Sequence, residues 1–156
     1  MVHQAVLYGT EETVPVPMCK ECHQVLPRKI ENTVSNSSDV YQMMRALDYH
    51  KEDTESFLVF SLNTKNSVID RTVVAKGGIN TVHVHPSDVV RPAVLRSCTS
   101  VIVAHNHPSG DPTPSPDDRI LTERLTEACG VMGIRMLDHV IIAHNSYYSF
   151  SDGGCL

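Results

Sequence analysis

Three side chains in one stretch of the sequence have the types and spacing to hold a metal ion. His105 and His107 follow the apolar run Val101–Ala104, which reads as a buried strand, and Asp118 lies three residues beyond Ser115 at the start of a helical pattern. A loop stiffened by Pro108, Pro112 and Pro114, with Pro116 just after it, joins the two ends. Two imidazoles and one carboxylate give zinc three protein ligands and leave a fourth position open, which hydrolytic sites need and structural sites lack. Each end also has an ordinary explanation. Ser115-Pro116-Asp117-Asp118 has the residues of a helix start: serine at the N-cap, proline at the first helical position, acids in the first turn. The two readings are compatible, because a capped first turn holds Asp118 rigidly.

The stretch HNHPSGDPTPSPDD resembles the His-x-His…Ser-x-x-Asp motif of the JAMM (MPN+/JAB1) metalloprotease superfamily, and its HNHPSG form is similar to the RadC family. The resemblance extends upstream to ESFLVFSLNTKNSVID, through VHVHPSDVV, and downstream to GIRMLDHVIIA and YYSF, covering about Ser38 to Phe150. It implies a JAB/MPN-like, cytidine-deaminase-like fold: an α/β, three-layer α-β-α domain with a mixed sheet. It also implies one zinc ion (Zn2+) per chain on His105, His107 and Asp118, with Glu55 at the head of ESFLVF as general base and Ser115 as donor to the oxyanion of the tetrahedral intermediate. Glu52 and Asp53 lie beside Glu55, but only Glu55 takes the matching strand position.

The reaction this implies is attack on an amide by a metal-bound water, whose pKa zinc lowers towards ~7. Relatives in the superfamily cleave isopeptide bonds next to ubiquitin-like modifiers, so a peptidase or isopeptidase-like hydrolase with a peptide or protein substrate is expected. Two alternatives come from the same resemblance. One is a DNA repair-associated or anti-restriction protein acting on or near nucleic acid; the other is a non-enzymatic MPN-type interaction module. The intact ligand set favours the hydrolase. Proteins of the RadC family usually carry an N-terminal helical segment, and this chain reads as a short form without it.

At 156 residues the expectation is one globular domain with a real core. The net charge of −5, with 13 scattered basic residues and no basic run, gives nucleic-acid binding no support. No apolar run reaches bilayer length, and the N-terminus lacks the pattern of a secretory signal, so a cytoplasmic setting is expected. Five thinly spread cysteines do not suggest a disulfide framework.

Along the chain, residues 1–36 read as an irregular arm broken by Pro15, Pro17 and Pro27, and residues 37–156 as the domain. The arm holds Cys19-Lys20-Glu21-Cys22-His23, which reads as a redox pair, as the c-type haem spacing Cys-x-x-Cys-His, or as half a zinc knuckle that would need His23 or His3 towards four ligands; an ordinary reduced pair is the simpler reading. A helix capped by Ser37 or Ser38 is expected through about His50, with Val40, Met43, Met44 and Leu47 as its apolar stripe. Strands follow over 55–62 and 67–75, with a short one over 81–85, then a helix over 86–97 with Val89, Val90, Ala93 and Val94 inward. The strand over 100–105 leads through the motif loop to a helix over 115–129 with Ile120, Leu121, Leu125 and Ala128 buried, and strands over 134–143 and 147–150 close the chain. His83 and His85 share one strand face but have no acid at ligand spacing, so they read as hydrogen-bonded histidines near the sheet edge. Asp138-His139 reads either as a pair orienting a ligand imidazole or as a satisfied core pair.

Overall fold

The computed structural model of the chain describes residues 4–6, 13–15, 33–77 and 84–156. In the arm, β1 (Gln4–Val6) and β2 (Thr13–Pro15) pair antiparallel as a separate two-stranded sheet, where an irregular segment is expected. His3, Cys19, Cys22, His23 and His83 lie outside the described residues.

The domain runs α1 (Ser37–Ala46), β3 (Glu55–Leu62), β4 (Val68–Gly77), α2 (Pro86–Leu95), β5 (Ser100–Asn106), α3 (Pro116–Val131), β6 (Arg135–Ile142) and β7 (Tyr147–Ser149). The sheet order is β4-β3-β5-β6-β7. β5 and β6 are parallel and joined through α3, while every other neighbouring pair is antiparallel. The sheet is therefore mixed, as expected. It is also covered on both faces. Val40, Tyr41 and Met44 of α1 pack with Leu58, Phe60, Leu62, Ile102, Ala104, Val140 and Ile142. On the other face Val89 and Ala93 of α2 and Leu125 and Cys129 of α3 pack with Phe57, Val59, Val101 and Val103. The result is the three-layer α-β-α arrangement. Burial on both faces is why β3 and β5 read as continuous apolar runs rather than alternating ones.

Several local expectations shift. Asn36, not Ser37 or Ser38, caps α1: its side chain accepts the Asp39 N–H at 3.2 Å, while Asp39 Oδ2 accepts the Asn36 N–H at 3.2 Å. That helix ends at Ala46 and a single 3₁₀ turn follows at Tyr49–Lys51, which leaves Leu47 exposed. Helix α2 stops at Leu95 with Val94 and Leu95 facing solvent. On α3 the buried face is Thr122, Leu125 and Cys129, and Ile120 is 54% exposed. Gly130 lies within α3, and it is Gly133, at φ +70°, that turns the chain out. Most of the strand expected over 81–85 lies outside the described residues; Val84 and His85 lead directly into α2. His85 occupies the N-cap position of α2, with its backbone N–H donating to Asp88 Oδ2 at 2.9 Å and its side chain exposed.

Candidate metal centre

The carboxyl end of β5 meets the N-terminus of α3, and the three chemistry-bearing residues converge there. Val101, Val103 and His105 share the face covered by α2 and α3, so the strand's alternation aims His105 at the start of α3. His107 comes one residue after the strand, and its backbone N–H donates to the Ile142 carbonyl at 2.8 Å. Asp118 is held from the other side by its cap. Its Oδ2 accepts the Ser115 N–H at 2.8 Å and the Ser115 hydroxyl at 2.6 Å, and Ser115 Oγ accepts the Asp118 N–H at 3.1 Å. The capping reading is thus realised in this turn, and the cap holds the carboxylate that faces the two histidines.

The site atoms lie close together. His105 Nε2 is 3.0 Å from His107 Nε2 and 3.3 Å from Asp118 Oδ1, and His107 Nε2 is 3.6 Å from Asp118 Oδ2. Taking one ligand atom from each residue, all three fall within 4.8 Å of one another. Tetrahedral zinc with bonds of roughly 2.0–2.1 Å spaces its ligand atoms about 3.3 Å apart. The donor set fits such an ion in both type and spacing.

The outer nitrogens of the imidazoles are committed elsewhere. His107 Nδ1 lies 2.8 Å from the Asp111 carbonyl, which can only accept; neutral His107 therefore carries its hydrogen on Nδ1 and turns its Nε2 lone pair into the site. The turn that brings this carbonyl round includes Gly110 at φ +83°, a conformation that favours glycine. His105 Nδ1 meets His139 Nε2 at 2.9 Å, and His139 Nδ1 meets Thr122 Oγ1 at 2.7 Å. Burial disfavours charge on His107, but the Asp118 carboxylate, the Asp111 carbonyl and the Glu55 charge outweigh it and hold its pKa above the ordinary histidine value. Burial alone would raise the Asp118 carboxyl; His105, His107 and Ser115 reverse this and hold it far below the usual range. Complete burial pushes His139 well below the ordinary value, so it is neutral.

Glu55 opens β3 on the same face as Phe57, whose ring stacks on His105 at 5.6 Å. Of its acidic neighbours, Glu52 is engaged by the Ser56 hydroxyl at 2.6 Å and by Lys76 at 3.0 Å, and Asp53 is exposed. Asn106 lies between the two histidines, and nothing in its residue type or spacing marks it. It is buried and clamps the segment entering β3: its Oδ1 accepts the Ser56 N–H at 2.7 Å and its Nδ2 donates to the Thr54 carbonyl at 2.9 Å. Thr122 carried no signal except its place on α3. Asp138 and His139 do separate jobs, settling that ambiguity. His139 faces the site, while Asp138 accepts from the Ser149 hydroxyl at 2.6 Å and the Ser151 N–H at 3.0 Å and anchors the C-terminal turn.

A family model described as a RadC-like JAB domain matches residues 34–155, the whole sheet of five strands and its three helices. The chain belongs to the RadC-like JAB domain family. Its relatives include proteins named UPF0758. One from Desulforamulus reducens is 46% identical over 109 residues, covering 70% of this chain and 48% of the relative. One from Methanosarcina mazei is 41% identical over 121 residues, 78% of this chain and 52% of the relative. One from Pelobacter propionicus is 44% identical over 131 residues, 83% and 57% respectively. The chain spans about half the length of these curated relatives, and their names state no activity. Among the described residues, no helix is long and apolar enough to cross a membrane.

Proposed function

We propose that this RadC-like domain is a zinc-dependent hydrolase that cleaves amide bonds in peptide or protein substrates. One observation carries the reading: two imidazole nitrogens and a carboxylate face one another at 3.0–3.6 Å while the outward nitrogen of His107 spends its hydrogen on a carbonyl. Like-facing acceptors repel unless something positive sits among them, and a donor set of two His and one Asp suits zinc. Zinc bound by His105, His107 and Asp118 supplies Lewis acidity and an activated water at neutral pH.

The remaining steps belong to the chain's own groups. Glu55, on the site face of β3, takes the water's proton and returns it to the leaving amine. Ser115 donates its hydroxyl to the developing oxyanion. For that, the hydroxyl rotates off Asp118 Oδ2, its partner at 2.6 Å, while still accepting the Asp118 N–H. The nucleic-acid and interaction-module readings rest on family resemblance alone.

The first experiment is elemental analysis of the purified protein beside His107→Ala and Asp118→Ala. The expected result is one zinc per chain, lost in both variants. Zinc retained in both would move the metal away from this site, with the Cys19/Cys22 segment the next candidate. A screen of peptide and isopeptide substrates then follows, in which Glu55→Gln keeps zinc and loses turnover. Undiminished turnover in that variant removes Glu55 from the mechanism.

A further inference from the structure

The hydrogen bonds behind His105 form a chain whose direction is forced from its far end. The Asp118 backbone carbonyl has no hydrogen to give, so the Thr122 hydroxyl donates to it at 2.6 Å. Having spent its one hydrogen, Thr122 Oγ1 accepts from His139 Nδ1–H at 2.7 Å. A neutral imidazole has a single N–H, which leaves His139 Nε2 an acceptor, and His105 Nδ1–H donates to it at 2.9 Å. His105 Nε2 therefore keeps its lone pair, directed at His107 and Asp118. The opposite tautomer would place a hydrogen where a metal must bind.

We propose that Thr122 and His139 form a one-way relay that locks His105 in its ligating tautomer, so that a threonine offering no atom to the ion sets the affinity of the site. The fold is built to present this relay. The β5–β6 ladder slips between Val101 and Ile102, whose partners are Met136 and Asp138, leaving Leu137 as the extra residue. Met136 packs with the α2/α3 core, and His139, three residues on, also faces α3; regular alternation would turn it away, and the bulge restores it. The His139 ring is 0% exposed, stacked on Phe150 at 4.9 Å with Phe57 edge-on at 5.5 Å, so no water competes for its nitrogens. Thr122 is also buried, one helical turn beyond Asp118, and so ties the relay to the third ligand.

The inference rests on reading His105, His107 and Asp118 as an ion site, and its test has one arm that needs no ion. Nitrogen-15 NMR of histidine-labelled, metal-free protein at mildly alkaline pH should show the Nδ1–H tautomer for both His105 and His139. Thr122→Ser should retain that pattern. Thr122→Val, nearly the same shape without the hydroxyl, should lose the fixed tautomer of His105. In chelator competition with zinc, Thr122→Val should bind about 10- to 100-fold more weakly, and Thr122→Ser within about threefold of the original. A thermal melt shows whether the valine variant is folded; if it is not, the original protein and the serine variant still decide the tautomer. An Nε2–H tautomer on His105 in the metal-free original protein overturns the relay. So does a folded Thr122→Val with unchanged zinc affinity. Failure of the original protein to bind zinc sinks the ion-site reading instead, and leaves the relay to be decided by the tautomer alone.

Discussion

At the scale of single residues, the centre is defined as much by where hydrogens go as by which side chains are present. His107 is oriented by a backbone carbonyl of its own loop, His105 by a second histidine, and Asp118 by the serine that caps its helix. At metal sites, losing such a partner typically weakens metal binding by about 10- to 100-fold. Asn106 extends the same logic to the segment carrying Glu55, because it satisfies a buried N–H and a carbonyl just before and after that residue. Removing its amide in Asn106→Ala leaves the Ser56 N–H unpaired in the interior, at an expected cost of about 1–3 kcal/mol. Chemical denaturation of the zinc-free protein measures that cost directly. A variant as stable as the original would show that the clamp holds nothing.

At the scale of elements, the site depends on one strand end and one helix start meeting across a proline-rich loop. Helix α3 is both a packing element and a mount. Its face of Thr122, Leu125 and Cys129 seats it on the sheet, and its capped first turn presents Asp118. Ser115→Ala tests the two roles together. Loss of the cap should cost about 1 kcal/mol in thermal or denaturant unfolding. Zinc affinity should fall as well, because the carboxylate loses the hydroxyl bonded to it at 2.6 Å. Reduced stability with unchanged zinc affinity would leave Ser115 as a cap without a part in orienting the ligand.

At the scale of the whole molecule, the proposed zinc would compete with protons for the same centre, and stability should record it. His107 has its pKa raised by folding, so its stabilising effect is complete below the ordinary histidine value of 6.5 and disappears as pH rises through the raised value. Asp118 has its pKa depressed, so its effect is present above the unfolded value of about 3.9 and disappears only as pH falls through the depressed value. The metal-free protein should therefore gain most from this pair between about pH 4 and 6.5, and lose that gain on the alkaline side. Zinc needs the unprotonated imidazole, so its affinity should rise over the pH range where the metal-free pair weakens. At a zinc concentration of 100 times Kd, about 2.7 kcal/mol of added stability is expected. Melting curves across pH, with and without chelator, check both signs. Identical pH profiles for the original protein and Asp118→Asn would show that the pair contributes nothing.

What the sequence by itself determined is what local spacing and apolar runs encode. His105, His107, Ser115 and Asp118 lie within a span of fourteen residues bounded by a strand signal and a cap signal, so their meeting was legible before any coordinates. The mixed sheet and layered α/β class were legible too, because strands buried on both faces leave long apolar runs. Tertiary structure alone decided what depends on register and on partners distant in the chain. The bulge opposite Val101 turns His139 towards α3, the phase of α3 selects Thr122 rather than Ile120 for burial, and the pairing of β3 with β5 brings Ser56 to Asn106. A one-residue slip or a rotation of one helical position would undo each of these, and neither leaves a mark in composition or spacing. The meeting of the candidate ligands was therefore readable from the sequence, while the hydrogen bonds that orient them became visible only in the folded chain.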